Sequence, residues 1–245
     1  MLVNIGMPLY NTKPSFVVEA IDSIKNQTFT DWNLIIINDC SSNPETISLL
    51  KQLEKEPKIT IINNKINIGI APTRKRIIES LDSDCKFLAF LDSDDMMTPA
   101  RLEIQVEHLN KNPSIDILGT QMAVYPSSGI FSERTKYWEG RFITSLPDVV
   151  DKEVVNSSYW FINNPSCMIR KKVLEAVEYP CSDHDPFGLA DYEFWCKCFA
   201  AGFKIENLKE CLTIYRLHEN QISNSNQHEL KQRKLKNIKN MYIHS

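Results

Sequence analysis

Lys86-Phe87-Leu88-Ala89-Phe90-Leu91-Asp92-Ser93-Asp94-Asp95 is an apolar run that stops at three carboxylates. Its length and polar boundaries are those of a buried strand and are too short for a helix. The carboxylates then fall at the strand's C-terminal end, which in open α/β sheets opens onto the ligand crevice. Hard divalent cations in such places are held by one or two carboxylates together with substrate phosphates. Asp-x-Asp here points to a metal and a phosphorylated ligand; the competing use of acidic residues at a strand end is as turn residues and helix caps.

The flanking sequence places this strand in a repeating unit. Val3 to Met7 alternates as a strand, and Phe16, Ala20, Ile21 and Ile24 recur at helical spacing behind Pro14, a first-turn proline. Leu34 to Ile37 is a second buried strand ending in Asn38-Asp39-Cys40-Ser41-Ser42. Asn43-Pro44 then starts a helix that turns Ile47, Leu50 and Leu53 inward. Ile59 to Ile62 is a third strand, followed by Asn67-Ile68-Gly69 and a helix from about Pro72 to Leu81. Strands alternating with helices of this length imply βαβ units and a mainly parallel sheet whose loops converge on one crevice.

Beyond the carboxylates, Thr98-Pro99 is expected to cap a helix carrying Leu102, Val106 and Leu109 and stopped at Pro113, and Ile115 to Val124 is a fifth apolar segment. The alternation breaks from Pro126 to about Trp160, a long polar and aromatic stretch with Tyr137, Trp138, Tyr159 and Trp160; it is read either as a binding element or as cover for the sheet. Leu189 to Ala201 is a helix closed by Gly202. Asp191 shares its inner side with Trp195 and Cys198, and Glu193 is spaced to pair with Lys197 in water. An inward carboxylate in a first turn is favoured in its ionised form by the helix dipole, which suits a general base. Leu212 to His218 is strand-like and ends in a cation and an imidazole. Glu229 to Ile243 is a basic helix; packing against the body through Leu235, Ile238 and Tyr242 is the first expectation, with weak contact to an anionic membrane surface as the alternative.

The chain of 245 residues is 42% hydrophobic and 24% charged, an ordinary globular composition. Its net charge of −3 offers no field to attract nucleic acid, so no nucleic-acid partner is expected. Met1 to Met7 is too short and polar for a signal peptide, and no apolar run approaches the ~20 residues of a membrane span; the expectation is a soluble, cytoplasmic protein. Seven scattered cysteines do not make a disulfide framework and fit a reducing compartment.

Taken in order, Pro8-Leu9-Tyr10-Asn11, Ser23 to Thr28, Asn38 to Ser41, Asn67 to Gly69, Arg74, Leu91 to Asp95, Asp191 to Trp195, and Tyr215 to His218 ending at Ser223 resemble the succession of the family 2 glycosyltransferases, inverting enzymes of the GT-A fold. The resemblance covers about residues 3 to 223. It implies an α/β, Rossmann-like, mainly parallel sheet flanked by helices, with a mixed acceptor-side half. Residues 1–225 would form one domain, divided into a nucleotide-sugar-binding half (1–98) and an acceptor-binding half (99–225), and 226–245 the basic C-terminal helix. It also implies metal-dependent transfer from a nucleoside diphosphate sugar, with UDP the expected nucleotide, to a carbohydrate, lipid-linked, protein or small-metabolite acceptor.

The implied roles are specific. Pro8 and Tyr10 would line the base pocket, Asp39 would bond uracil or ribose, and Asn67, Gly69 and Arg74 would surround the nucleotide. Asp92, with Ser93, would lie near ribose and metal. Asp94 would ligate Mn²⁺ or Mg²⁺ with help from His218, and Asp191 would be the general base. Arg216, Trp195 and Trp160 are expected at the diphosphate or acceptor.

Three motifs depart from the family pattern: Asn38-Asp39-Cys40-Ser41 stands for Asp-Asp-Gly-Ser and loses the turn glycine, Thr73-Arg74-Lys75 replaces Ala-Arg-Asn, and Ala190 removes an acidic neighbour of Asp191. Rival classes fit less well. A nucleotidyltransferase needs a Gly-rich loop after the first strand, and Met7 to Lys13 has none. A dehalogenase-type phosphatase carries its Asp-x-Asp on the first strand. A non-catalytic nucleotide- or sugar-binding module is the alternative from another class.

Overall fold

The computed structural model describes residues 2–126, 146–158, 160–181, 188–218 and 228–243. Several expected features lie outside them: Tyr137, Trp138 and Tyr159 of the long aromatic stretch, most of the 181–188 segment that is expected with 126–160 to restrict the crevice, Ser223, and the expected boundary at 225. Among the described residues the strands are β1 (Val3–Leu9), β2 (Trp32–Asn38), β3 (Ile59–Asn63), β4 (Phe87–Phe90), β5 (Met96–Met97), β6 (Ile117–Pro126), β7 (Val149–Val150), β8 (Met168–Arg170) and β9 (Ile205–Leu217). The helices are α1 (Pro14–Lys25), α2 (Pro44–Leu53), α3 (Ile70–Glu79), α4 (Arg101–Lys111), α5 (Lys152–Ser157), α6 (Lys171–Ala176), α7 (Ala190–Ala200) and α8 (His228–Tyr242), with a short 3₁₀ turn at Asn164–Ser166.

One sheet joins all the strands, in the order β3-β2-β1-β4-β8-β6-β9-β5, with β7 on β9. It is parallel from β3 to β4. Beyond β4 it is mixed: β8 runs antiparallel to β4 and β6, and β9 runs parallel to β6 but antiparallel to β5 and β7. The division follows from burial. Every residue of β1 and β4 is buried, as is expected of strands covered by helices on both faces.

The side-chain alternation of the strands supplies both layers. Leu34, Ile36, Phe87 and Ala89 pack with Val17, Ile21 and Ile24 of α1, Leu50 of α2 and Leu102 of α4. Ile35, Ile37, Leu88 and Phe90 face Ile77 of α3, Trp195 of α7 and Leu235 and Ile238 of α8. Gly6 lets α3 approach β1, because a Cβ there would lie 2.5 Å from a methyl of Ile77. The apolar stripe of α8 is thus part of the core.

Several local expectations need correction. The α3 helix starts at Ile70, directly after Gly69 at φ +88°, two residues before the expected start. Thr98 does not cap α4 through its side chain: α4 begins at Arg101, whose N–H donates to the Thr98 carbonyl, and the buried Thr98 hydroxyl has no partner among the described residues. Glu193 does not pair with Lys197; it accepts a 2.9 Å hydrogen bond from the Tyr242 hydroxyl, while Lys197 donates to the Glu178 carbonyl. The packing of α8 onto α7 brings Tyr242 within reach and supplies the closer partner. No helix among the described residues is long and apolar enough to cross a membrane.

Candidate active site

The parallel strands end on one side in three loops that hold each other. Asp39 follows β2 and is buried. Its Oδ1 accepts from Asn64 Nδ2 (2.7 Å) and the Ile68 N–H (2.9 Å), its Oδ2 accepts from the Gly69 N–H (2.8 Å), and Asn67 Nδ2 donates to its carbonyl (3.3 Å). Asp39, Asn67 and Gly69 are therefore one unit, with the carboxylate shaping the entry to α3. Cys40 sits at φ +60°, a left-handed turn position held by a residue with a Cβ. Asn11, also left-handed at φ +50°, clamps the loop after β1 to the loop after β2 by accepting from the Ser42 and Asn43 N–H groups. Pro8 is buried at the end of β1, and Tyr10 follows it with 53% of its surface exposed.

The acidic loop after β4 is tied down on every side. The Leu91 N–H donates to the Gly6 carbonyl and the Asp95 N–H to the Asp92 carbonyl. Ser93 shares a 2.7 Å hydroxyl contact with Thr12. Asp92 accepts from Arg74 Nη2 at 3.0 Å, and Arg74 Nη1 lies 3.8 Å from Asp191 Oδ2, so one buried guanidinium joins the strand-end carboxylate to the carboxylate of α7. Burial opposes the charge on Arg74, but Asp92, then Tyr179 and Asp191, outweigh it and raise its proton affinity. Burial lifts the Asp92 carboxyl above its usual range, with Arg74 pulling against it and Asp94 adding to it.

Asp94 and His218 meet at 2.7 Å (Oδ2 to Nε2), and the imidazole rests against Phe16 with ring centroids 5.4 Å apart. Arg216, expected at the diphosphate or acceptor, is only 2% exposed. It donates to the Asp94 carbonyl (2.8 Å) and to Glu19, and its guanidinium lies 4.4 Å over the Phe16 ring, so it supports the acidic loop from beneath.

Three supporting residues escaped the sequence reasoning. Asp95 is fully buried; Oδ1 accepts the Arg216 N–H at 2.9 Å and Oδ2 has no partner among the described residues. Burial, then Asp94 and Asp92, push its carboxyl well above the usual range. Arg101, also fully buried, donates to the carbonyls of Phe90, Pro165 and Cys167 and to Gln105 Oε1, locking the end of β4 to the 3₁₀ turn; burial pulls its proton affinity down to about 10. Glu19 is the third. Asp95 closes the acidic stretch itself, and Arg101 and Glu19 lie outside every motif; none of the three carries a local signal of a supporting role.

Asp191, at the start of α7, lines a cavity with Trp160, Phe161, Ile162, Tyr192 and Trp195. Its Oδ1 also accepts the Tyr192 N–H at 2.7 Å. The expected site residues thus gather in four groups: Asp39 with Asn67 and Gly69; Arg74 with Asp92 and Asp191; Asp94 with His218; and Asp191 with Trp160 and Trp195. Among the described residues, no three His, Cys, Asp or Glu side chains cluster tightly enough to hold an ion unaided.

Fold and site together describe an α/β enzyme with an acidic crevice at its strand ends. The sequence model of glycosyl transferase family 2 matches residues 4–177. An uncharacterized glycosyltransferase of Methanocaldococcus jannaschii is 29% identical over 221 residues, covering 88% of this chain and 71% of that protein. An uncharacterized glycosyltransferase of Haemophilus influenzae is 30% identical over 234 residues, covering 93% and 69%. Among solved structures, S. aureus TarS 1–349 in complex with UDP-GlcNAc superposes with a TM-score of 0.71 at 17% identity, over 92% of this chain and 61% of that one. The chain belongs to glycosyl transferase family 2.

Proposed function

We propose that this glycosyltransferase moves a sugar from a nucleoside diphosphate sugar, with UDP as the nucleotide, to an acceptor hydroxyl with inversion at the anomeric carbon. Pro8, Tyr10, Asp39, Asn67, Gly69, Arg74, Asp92 and Ser93 form the donor side, and the UDP-GlcNAc bound by TarS on a similar fold supports the choice of nucleotide. The observation that carries the proposal is a chain of contacts. Asp94, paired with His218, acts on Asp92, and Arg74 links Asp92 to Asp191, which lines an aromatic-walled cavity.

The donor set fits a divalent cation. One carboxylate and one imidazole are too few alone, and diphosphate oxygens complete such a shell, which suits Mn²⁺ or Mg²⁺. When bound, the ion supplies Lewis-acid stabilisation of the charge that develops on the leaving diphosphate. Asp191 accepts the proton of the attacking hydroxyl, a contribution of typically ~10²- to 10⁴-fold. Arg74 compensates Asp92 and Asp191 at once and so fixes the donor carboxylate relative to the base. An acceptor seated against Trp160 and Phe161 would displace water, whose attack on the donor is the competing reaction. The cysteines are thiols, in keeping with a cytoplasmic setting.

Calorimetric titration of UDP, GDP and dTDP with and without Mn²⁺, in parallel on Asp94→Ala, tests the donor half. Metal-dependent binding of UDP that is lost in the variant is expected. Absence of binding by all three nucleotides would sink the proposal.

A further inference from the structure

The cavity beside Asp191 has features that the transfer reaction alone does not require. Trp160 forms part of its wall yet is 47% exposed, and Lys231 Nζ of α8 lies 5.5 Å from the centre of its ring. Trp195, on the same wall, is 2% exposed, and its indole N–H has no hydrogen-bond partner among the described residues. An unpaired buried donor is costly unless a ligand satisfies it. The cavity itself has a volume of ≈ 10 Å³, room for about one oxygen, so a sugar ring would lie across its mouth against Trp160 and reach in with a single oxygen. A half-exposed indole offers an apolar face to the C–H face of a pyranose ring while its edge stays wet.

The cation at this platform is held in place. Leu235 and Ile238 anchor α8 in the same core cluster as Phe161 and Tyr192. Lys239 donates to the carbonyls of Asn156 and Ser158 at 2.9 and 3.2 Å, just before Trp160, and Tyr242 bonds Glu193 on α7. Thus α8 braces both the segment that carries Trp160 and the helix that carries Asp191. All of α8, with Lys231, lies beyond the residues matched by the family model, as does α7 with Asp191.

Resting on the transferase function proposed above, we infer that the acceptor is a carbohydrate bearing an acidic group: its ring stacks on Trp160, a ring or hydroxyl oxygen accepts from the Trp195 indole N–H, and its carboxylate or phosphate pairs with Lys231. The reacting hydroxyl then faces Asp191.

The test compares methyl β-glucuronide with methyl β-glucoside as ligands of the full chain, by tryptophan fluorescence and saturation-transfer NMR. One exposed ion pair predicts a preference of about 3- to 5-fold for the glucuronide. Lys231→Gln removes that preference and leaves glucoside binding in place, and Trp160→Ala weakens both ligands about 10-fold. Both side chains are at least partly exposed, so the variants fold. Equal affinity for the two glycosides, a preference that survives Lys231→Gln, or no binding of either at tens of millimolar overturns the inference. UDP titration with Mn²⁺ on the same samples keeps the two proposals apart: loss of UDP binding with the glycoside preference intact tells against the donor site alone.

Discussion

Arg74 is the most informative residue to perturb, because one guanidinium compensates two carboxylates that belong to different halves of the reaction. Arg74→Met keeps most of the side-chain volume and removes the guanidinium that Asp92 and Asp191 share. Breaking a buried ion pair typically costs about 3–5 kcal/mol, since a charge is left uncompensated. Here the carboxylate side chains keep 26% and 20% exposure, so water takes up part of the deficit and about 3 kcal/mol is expected. In a chain of this size that lowers Tm by roughly 6–12 °C.

The loss carries a pH signature. Burial already holds the Asp92 carboxyl above 3.8 in the folded state despite Arg74. The native protein therefore keeps a proton that the unfolded chain releases, and the stability linked to this group is greatest below about pH 4 and declines as pH rises through the folded value. Removing Arg74 raises that folded value further, so the variant's deficit is largest at neutral pH and narrows on acidification. Urea unfolding of wild type and variant at about pH 7.5 and about pH 4.5 reads it directly. A deficit below ~1 kcal/mol, or one of equal size at both pH values, refutes a compensating role for Arg74.

Other expectations follow from local geometry. Cys40→Gly relieves a left-handed conformation that costs a residue with a Cβ roughly 1–2 kcal/mol, against ~0.5–1 kcal/mol of added chain entropy, so Tm rises by about 2 °C in calorimetry; a fall would mean that the thiol itself holds the turn. Gly119→Ala would place a Cβ 2.2 Å from Asn207 Oδ1, and Asn207 cannot swing away because its Nδ2 holds the Pro147 and Phe161 carbonyls. A destabilisation of about 1–3 kcal/mol in urea melts is expected, and unchanged stability would show that this clamp is slack. Burial raises the thiols of Cys85, Cys167 and Cys198, and lifts Cys196 to about 11. Burial also raises the partly exposed Cys211, so at about pH 7.5 iodoacetamide should label Cys40 and Cys181 first, Cys211 more slowly, and the other four only after unfolding, read by mass spectrometry.

How much was legible depended on whether a residue's partner lay nearby in sequence. The buried runs of β1, β2 and β4, the proline at the start of α1 and the Asn43 cap of α2 are local signals, and each element formed where its pattern stood. Asp191 could be placed inward by helical spacing alone. Between residues 146 and 181 the pattern was silent: β7, β8, α5 and α6 are two to six residues long and owe their existence to the sheet they join. Only the last part of β9 was visible, because Glu206, Lys209 and Glu210 interrupt its first half, which is held by pairing with β6. In the site, the motif residues were readable and their supports were not. Glu19, Asp95 and Arg101 act on groups reached only by folding, and Arg216 turned out to bind Asp94's carbonyl and Glu19.

The central claim is that Asp191 handles the acceptor proton while Asp94 and His218 serve the donor diphosphate. The most direct measurement is nucleotide-sugar turnover and UDP affinity, both with Mn²⁺, for Asp191→Asn beside wild type. The predicted result is UDP binding within about twofold of wild type with turnover lowered by ~10²- to 10⁴-fold. Near-normal turnover in Asp191→Asn, or loss of UDP binding equal to the loss of turnover, would contradict it.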